Sequence, residues 1–579
     1  MGCDRYKICN EKYSFIKDIN FSIQMVRIYK GLQAFIHPTL IVALSLVTAI
    51  GLKWIILINE RVPFNSDEAI VALMARHILS GDRPIFFYGQ SYMGSLDAWL
   101  VSFGFLLFGE SVWVIRFIQT ILYCGTILTT YWLGRIIFKS SIIGSLGALL
   151  LAVPTVNVLL YTTVSLGGYS EALLIGNLIL ICAVYLGRYA ENNYRKRLWL
   201  WATLGFLGGV GFWSFGITLI YFLPALVYSL YRHYHFYRSK ELPQNIVIKA
   251  IFGCIFVGII GFIIGSLPLL FYGYQSGWLN LIREYTGGAI AGVEGVVYPY
   301  QIGLHILNFL VLGISVILGF RPPWASYWLA MPLIPFQLLF WIAVGWFTVS
   351  DIRNRGNNLR AEKMLLLAPI IILFAVFIFS PFGADPSGRY FIPVIMPMSL
   401  FAAGMIIYAQ KKNALLGTGL LLLVMGYHLW GFIQITYKDS NGFTTQFDSV
   451  TQVDQAYMGD LINFLEANGE LRGYTNYWVS YPLAFLSSER VIFIPRLPYH
   501  GDFRYSERDD RYSPYYDLVA DADKISYITS NHERLDMHLR EEFQRLDIKW
   551  REVTIGDFRV FYDLSAVVRP ADIGLGTTT

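Results

Sequence analysis

The chain has 579 residues, of which 55% are hydrophobic, 16% aromatic and only 15% charged, with a formal net charge of +5 at pH 7. Charged residues make up about a quarter of an ordinary soluble chain, so this composition excludes a soluble globular enzyme. With no basic patch interleaved with aromatics, it also excludes a nucleic-acid partner. Cys3, Cys9, Cys124, Cys182 and Cys254 form no CxxC pair and lie in the amino-terminal segment or in apolar runs, against a disulfide framework or zinc site.

Residues 1–38 are polar and basic, carry no signal-peptide pattern, and read as a cytoplasmic segment. Apolar runs of about 20 residues, the length that crosses a bilayer, follow at 39–58, 117–138, 142–160, 172–186, 198–212, 214–230, 251–270, 331–349, 364–380, 392–408 and 415–432. Lys and Arg favour the cytoplasmic ends of such runs. The basic clusters are 5–30, Arg135 with Lys139, 195–197, 232–249, 353–363 and Lys411-Lys412. Placing them all inside leaves Asp67, the 165–171 loop, Phe212-Trp213, 381–390 and everything beyond Phe432 outside. The run 95–108 is too short to span, and the run 301–320 would invert this order; both read as helices along the outer interface. The expectation is a polytopic α-helical membrane protein with about 11 spans, its transmembrane part at 39–435 and its first outer loop at 59–115. The outer segments hold no Asn-x-Ser/Thr sequence, which suits a prokaryotic plasma membrane.

From 436 to 579 the pattern becomes that of a soluble α/β domain. Helical periodicity marks 454–467 and 534–546, short β-rich runs mark 491–494 and 525–528, and 551–554 with 558–562 form a hairpin around Gly556-Asp557. By the charge order this domain is extracytoplasmic.

Four outer groups can carry chemistry. Asp67 and Glu68 open a helix capped by Asn65 or Ser66 and closed at Gly81; acids there also simply complement the helix dipole. Glu171 sits at the outer edge of an apolar helix, where a carboxylate needs a partner or a wet cavity. Arg389, next to Tyr390, is a cation at headgroup level whose fork of donors suits a phosphate, or it snorkels. Lys53 has the same two readings, with snorkelling favoured. The stretch Phe86–Ser95, holding Tyr88, Gln90 and Tyr92, either shapes a sugar pocket or belongs to the interfacial aromatic belt.

Together these residues resemble a known family. The Asp-Glu pair precedes a Tyr88-Gly89…Tyr92-Met93-Gly94 stretch, then Leu107-Phe108-Gly109-Glu110-Ser111, Arg116, Leu133-Gly134-Arg135 and, later, Gly388-Arg389-Tyr390-Phe391-Ile392-Pro393. The order is similar to GT-C membrane glycosyltransferases of the protein O-mannosyltransferase and lipid A aminoarabinose transferase kind, over Leu40–Tyr189 and Pro381–Pro397. The resemblance implies transfer of a sugar from a polyprenyl-phosphate carrier to an acceptor glycan, lipid or protein, with inversion, among membrane lipids. It implies Asp67 as catalytic base, Glu68 and Glu171 as its acidic companions, Arg389 at the carrier phosphate, and Tyr88, Gln90, Tyr92 and Tyr390 along the sugar and headgroup path. It also leaves open a divalent ion between Asp67 and Glu171, as in oligosaccharyl relatives. The mannosyltransferases' His-Pro-Pro motif is absent, with Gln90-Ser91-Tyr92-Met93-Gly94 in its place, so the sugar is not fixed. The competing readings are a transporter or flippase, against which one-sided polar residues argue, and a scaffold binding glycans or partners through its outer domain.

Overall fold

The computed structural model describes residues 37–189, 193–239, 244–286, 298–323, 327–354, 356, 358–385, 387–437, 444, 446, 451–499 and 503–577. The amino-terminal segment therefore lies outside the described residues. Nine helices among the described residues are long and apolar enough to cross a membrane, from Pro38–Ile58 to Ala414–Tyr437. Three expected spans fall outside that set for local reasons. The run 142–160 is broken into Ser141–Ala152 and Val156–Tyr161, because Pro154 lacks the N–H a continuous helix needs. Tyr194–Ser214 begins on Arg195-Lys196-Arg197, and Leu219–Ser239 is rich in tyrosine, so both are helices of modest hydropathy.

Tyr194–Ser214 is nevertheless held tightly. A Cβ at Gly205 would lie 1.9 Å from the Gly258 carbonyl, and one at Gly261 2.2 Å from that of Ala202, so this helix and Gln244–Gly265 touch backbone to backbone. Small residues permit such contact where lipid supplies no hydrophobic drive.

Tyr300–Ile317, expected along the outer interface, is long and apolar enough to count among the candidate spans. His305 Nδ1 bonds the Ile378 carbonyl (2.9 Å), Asn308 donates to Gly383 (3.0 Å), and Val316 touches Gly388. Ile378 precedes the loop 380–389 and Gly383 and Gly388 lie within it, so this helix packs along that loop.

Residues 451–577 form an α/β unit around a five-stranded sheet in the order Ile492–Pro495, Arg472–Thr475, Ser526–Ser530, Phe558–Tyr562, Arg551–Ile555. The first three strands are parallel and the last two join antiparallel. The unit rests on the segment 59–115: Phe485 of its helix Tyr477–Leu486 packs on Phe64 and Phe105, and Arg76 donates to the Phe485 carbonyl (3.1 Å).

Candidate functional site

The helix Ser66–Ser80 begins as its sequence requires. Asn65 accepts from the Glu68 amide (3.0 Å), and Gly81 ends the helix in the left-handed region at φ 119°. This puts Asp67 and Glu68 on adjacent positions of the first turn, and their side chains diverge. Glu68 is fully buried and accepts two hydrogen bonds from Arg116, Nε to Oε1 (3.1 Å) and Nη2 to Oε2 (2.9 Å). It anchors this helix to the helix Val112–Phe138. Asp67 stays half-buried, and Tyr477 of the α/β unit donates its hydroxyl to Asp67 Oδ1 at 2.5 Å. Ser66 donates to the Tyr477 carbonyl, so the same turn is gripped twice.

The hairpin Phe86–Phe87 and Gln90–Gly94 forms the next wall. It is wedged in place at Gly94, where a Cβ would come within 2.5 Å of the Trp213 carbonyl. Tyr92 lies within electrostatic reach of Asp67, Arg389, Arg511 and Glu284; burial pushes its hydroxyl up while the two guanidiniums pull it back. Arg511 comes from the α/β unit. It stands over the Tyr477 ring (5.4 Å), reaches the Gly89 carbonyl (3.4 Å), and pairs both terminal nitrogens with the Gln90 amide oxygen at 2.9 Å when that amide faces it. Arg389 is held by Asp385 (2.6 Å) and lies over the ring of Tyr390, with about a third of its side chain accessible.

The remaining expected residues go elsewhere. Glu171 is buried beside Asp97 of the short helix Leu96–Phe108. Asp97 accepts from Gln119 (2.8 Å) and Ser165 (2.5 Å), and burial pushes its carboxyl up despite those donors. Tyr88 bonds His77 (3.0 Å) and stacks on Tyr512, joining a network in which Glu489 receives His77 (2.9 Å) and Tyr515 (2.6 Å). Burial alone would raise Glu489; those donors and Arg76 instead hold it down at about 2. Lys53 does not snorkel: it is 1% exposed, bonding the Thr162 carbonyl and the hydroxyls of Thr162 (3.1 Å) and Thr163 (3.2 Å). The carboxyl-terminal end of the helix Val156–Tyr161, capped at Thr162, supplies these oxygens and offsets the cost of burying the ammonium.

Residues 95–259 match the family model of dolichyl-phosphate-mannose-protein mannosyltransferases. ArnT from Cupriavidus metallidurans, in a crystal structure bound to undecaprenyl phosphate, superposes with a TM-score of 0.53 over 92% of this chain and 99% of its own, at 13% identity. Its apo state gives 0.54 over 90% and 97%, at 12% identity. The oligosaccharyltransferase of Archaeoglobus fulgidus, crystallised with Zn and sulfate, gives 0.51 over 87% of this chain and 69% of its own, at 12% identity. These structures are GT-C membrane glycosyltransferases. No curated protein sequence matches the chain.

The chain has the GT-C fold. It is a multi-pass membrane protein. Within this GT-C frame Asp67, Arg389 and Glu284 lie within electrostatic reach of Tyr92, and the α/β unit adds Tyr477, Arg511 and Asp509 beside Asp67. Nothing local marks those three in the sequence. Asp97 did carry a signal, as a lone acid in an apolar run. Asp67 and Glu171, the pair considered for a divalent ion, face different partners, and among the described residues no three His, Cys, Asp or Glu side chains converge. That donor set does not fit a metal.

Proposed function

We propose that the chain is an inverting glycosyltransferase that moves a sugar from a polyprenyl-phosphate carrier to an acceptor hydroxyl. It works on the extracytoplasmic face of a plasma membrane, with residues 1–38 inside and 436–579 outside. The observation that supports this is two carboxylates, Asp67 and Glu284, and two guanidiniums, Arg389 and Arg511, gathered around Tyr92 in a GT-C fold. Asp67 takes the proton of the acceptor hydroxyl as its oxygen attacks the anomeric carbon. The bond from that carbon to the carrier phosphate breaks, the electron pair leaves with the phosphate oxygen, and Arg389 offsets the charge that grows there. Tyr477 holds Asp67 oriented and gives way, or shares the carboxylate, when an acceptor hydroxyl arrives. Tyr390 lies beneath Arg389 along the carrier path.

The test uses membranes holding the full chain and a polyprenyl-phosphate-linked labelled sugar. Arg389→Gln keeps a polar donor on a shorter side chain but removes the charge; it is expected to lower kcat/KM by about a hundredfold or more, at unchanged protein level. Transfer at the normal rate in that variant would remove the phosphate from this position.

A pH dependence follows from Asp509. Burial pushes its carboxyl up to about 6, against the pull of Arg511 and a hydrogen bond from Tyr499. Below that pH it is neutral; above it, its charge balances Arg511, which then competes less for the Asp67 carboxylate. Turnover is therefore expected to rise through about pH 6, and Asp509→Asn to flatten that limb. A profile unchanged by Asp509→Asn would exclude this coupling.

A further inference from the structure

Asp509 and Arg511 turn toward Asp67, and Asp510 between them turns into a separate cleft of about 490 Å³ in the α/β unit. That volume lies in the range of about 300–1,000 Å³ typical of small-ligand sites. At the end of the strand Ile492–Pro495, Arg496 pairs with Asp510 (2.8 Å) and is clamped between the rings of Tyr505 (5.4 Å) and Tyr516 (5.3 Å). Its Nε is buried without a hydrogen-bond partner. Tyr474 and Arg569 complete the wall. Tyr516 leaves 46% of its surface open.

The chemistry of the lining narrows the ligand. Two arginines, Arg496 and Arg569, are balanced by Asp510 and Asp517, so the cleft has no net charge to select an anion. It is too polar for a hydrocarbon chain. What it offers is flat aromatic surface next to alternating fixed donors and acceptors. Sugar rings present C–H faces to the first and vicinal hydroxyls, each both donor and acceptor, to the second.

We propose that this cleft is a glycan-binding subsite for a neutral oligosaccharide segment of the acceptor, set apart from the transfer hollow. Assigning the glycan to the acceptor rests on the transfer reaction proposed above; the binding itself does not. The two sites share one strip of backbone. Tyr481 pins it by donating to the Asp509 carbonyl (2.8 Å) and accepting from the Arg511 amide (2.6 Å). A glycan in this cleft that reaches Asp510 therefore lies one residue from Asp509 and Arg511.

The test applies the full-length chain, in nanodiscs, to an array of immobilised neutral hexose and N-acetylhexosamine oligomers alongside uronic-acid oligomers. Wild type and Asp67→Asn are expected to be retained equally on neutral glycans, and Tyr516→Ala and Arg569→Ala to lose tenfold or more in affinity. Both substituted side chains are exposed, and an unchanged Tm checks that the variants fold. Retention on no glycan, retention on uronic-acid oligomers alone, or undiminished retention of both variants would overturn the subsite. Loss of transfer in Asp67→Asn with binding intact separates this outcome from that of the reaction itself.

Discussion

Asp67→Asn is expected to abolish transfer while the protein accumulates normally in membranes. The substitution is nearly isosteric, and the Tyr477 hydroxyl can still donate to the remaining amide oxygen, so the contact at 2.5 Å and the docking of the α/β unit are preserved. What is lost is the basicity that accepts the acceptor's proton, a contribution of about 10²–10⁴ in rate. Loss of its charge also leaves Arg511 with Asp509 alone as its acidic neighbour, which weakens the hollow's charge balance further. The measurement is transfer from a labelled polyprenyl-phosphate sugar, normalised to the full-length protein in the same membranes. Wild-type turnover in Asp67→Asn would end the assignment of this residue as base.

Arg116→Ala is expected to cost the most stability of any single change at the site. Glu68 has no exposure and two hydrogen bonds, both from Arg116. Removing the guanidinium strands a buried carboxylate, which costs about 3–5 kcal/mol when one partner of a buried pair is deleted. The paired change Glu68→Gln with Arg116→Met removes both charges and should recover most of that loss. The readout is Tm of the detergent-solubilised chain, with membrane abundance as a second measure. Equal Tm for wild type and Arg116→Ala would show that the pair does not hold the first outer loop. Because this pair fixes the turn that also carries Asp67, activity should fall with stability in Arg116→Ala and return in part in the double variant.

The contrast between the two neighbours shows what a sequence exposes. Asn65, Asp67, Glu68 and Gly81 announce a capped helix, because capping chemistry is local. Which of two adjacent acids meets solvent depends on the direction of Arg116, nearly fifty residues on, and no local rule supplies that. The same limit applies in the α/β unit. Its amphipathic helix and terminal hairpin are legible from periodicity. The strand Arg472–Thr475 and the helix Tyr477–Leu486 are not, since a buried central strand with Gly473 lacks alternation and Pro482 and aromatics speak against a helix. Tyr477 lies in that unread helix. Lys53 failed for another reason: its neighbours Thr162 and Thr163 are brought to it by the end of the short helix Val156–Tyr161, within a run that looks like one continuous span.

The partner of Asp67 lies 410 positions further along the chain. Synthesis runs from the amino terminus, so every span is already made before Tyr477, Asp509 and Arg511 emerge. The membrane part made first thus presents Asp67 without its Tyr477 partner, and the proposed site is complete only once the α/β unit docks on it.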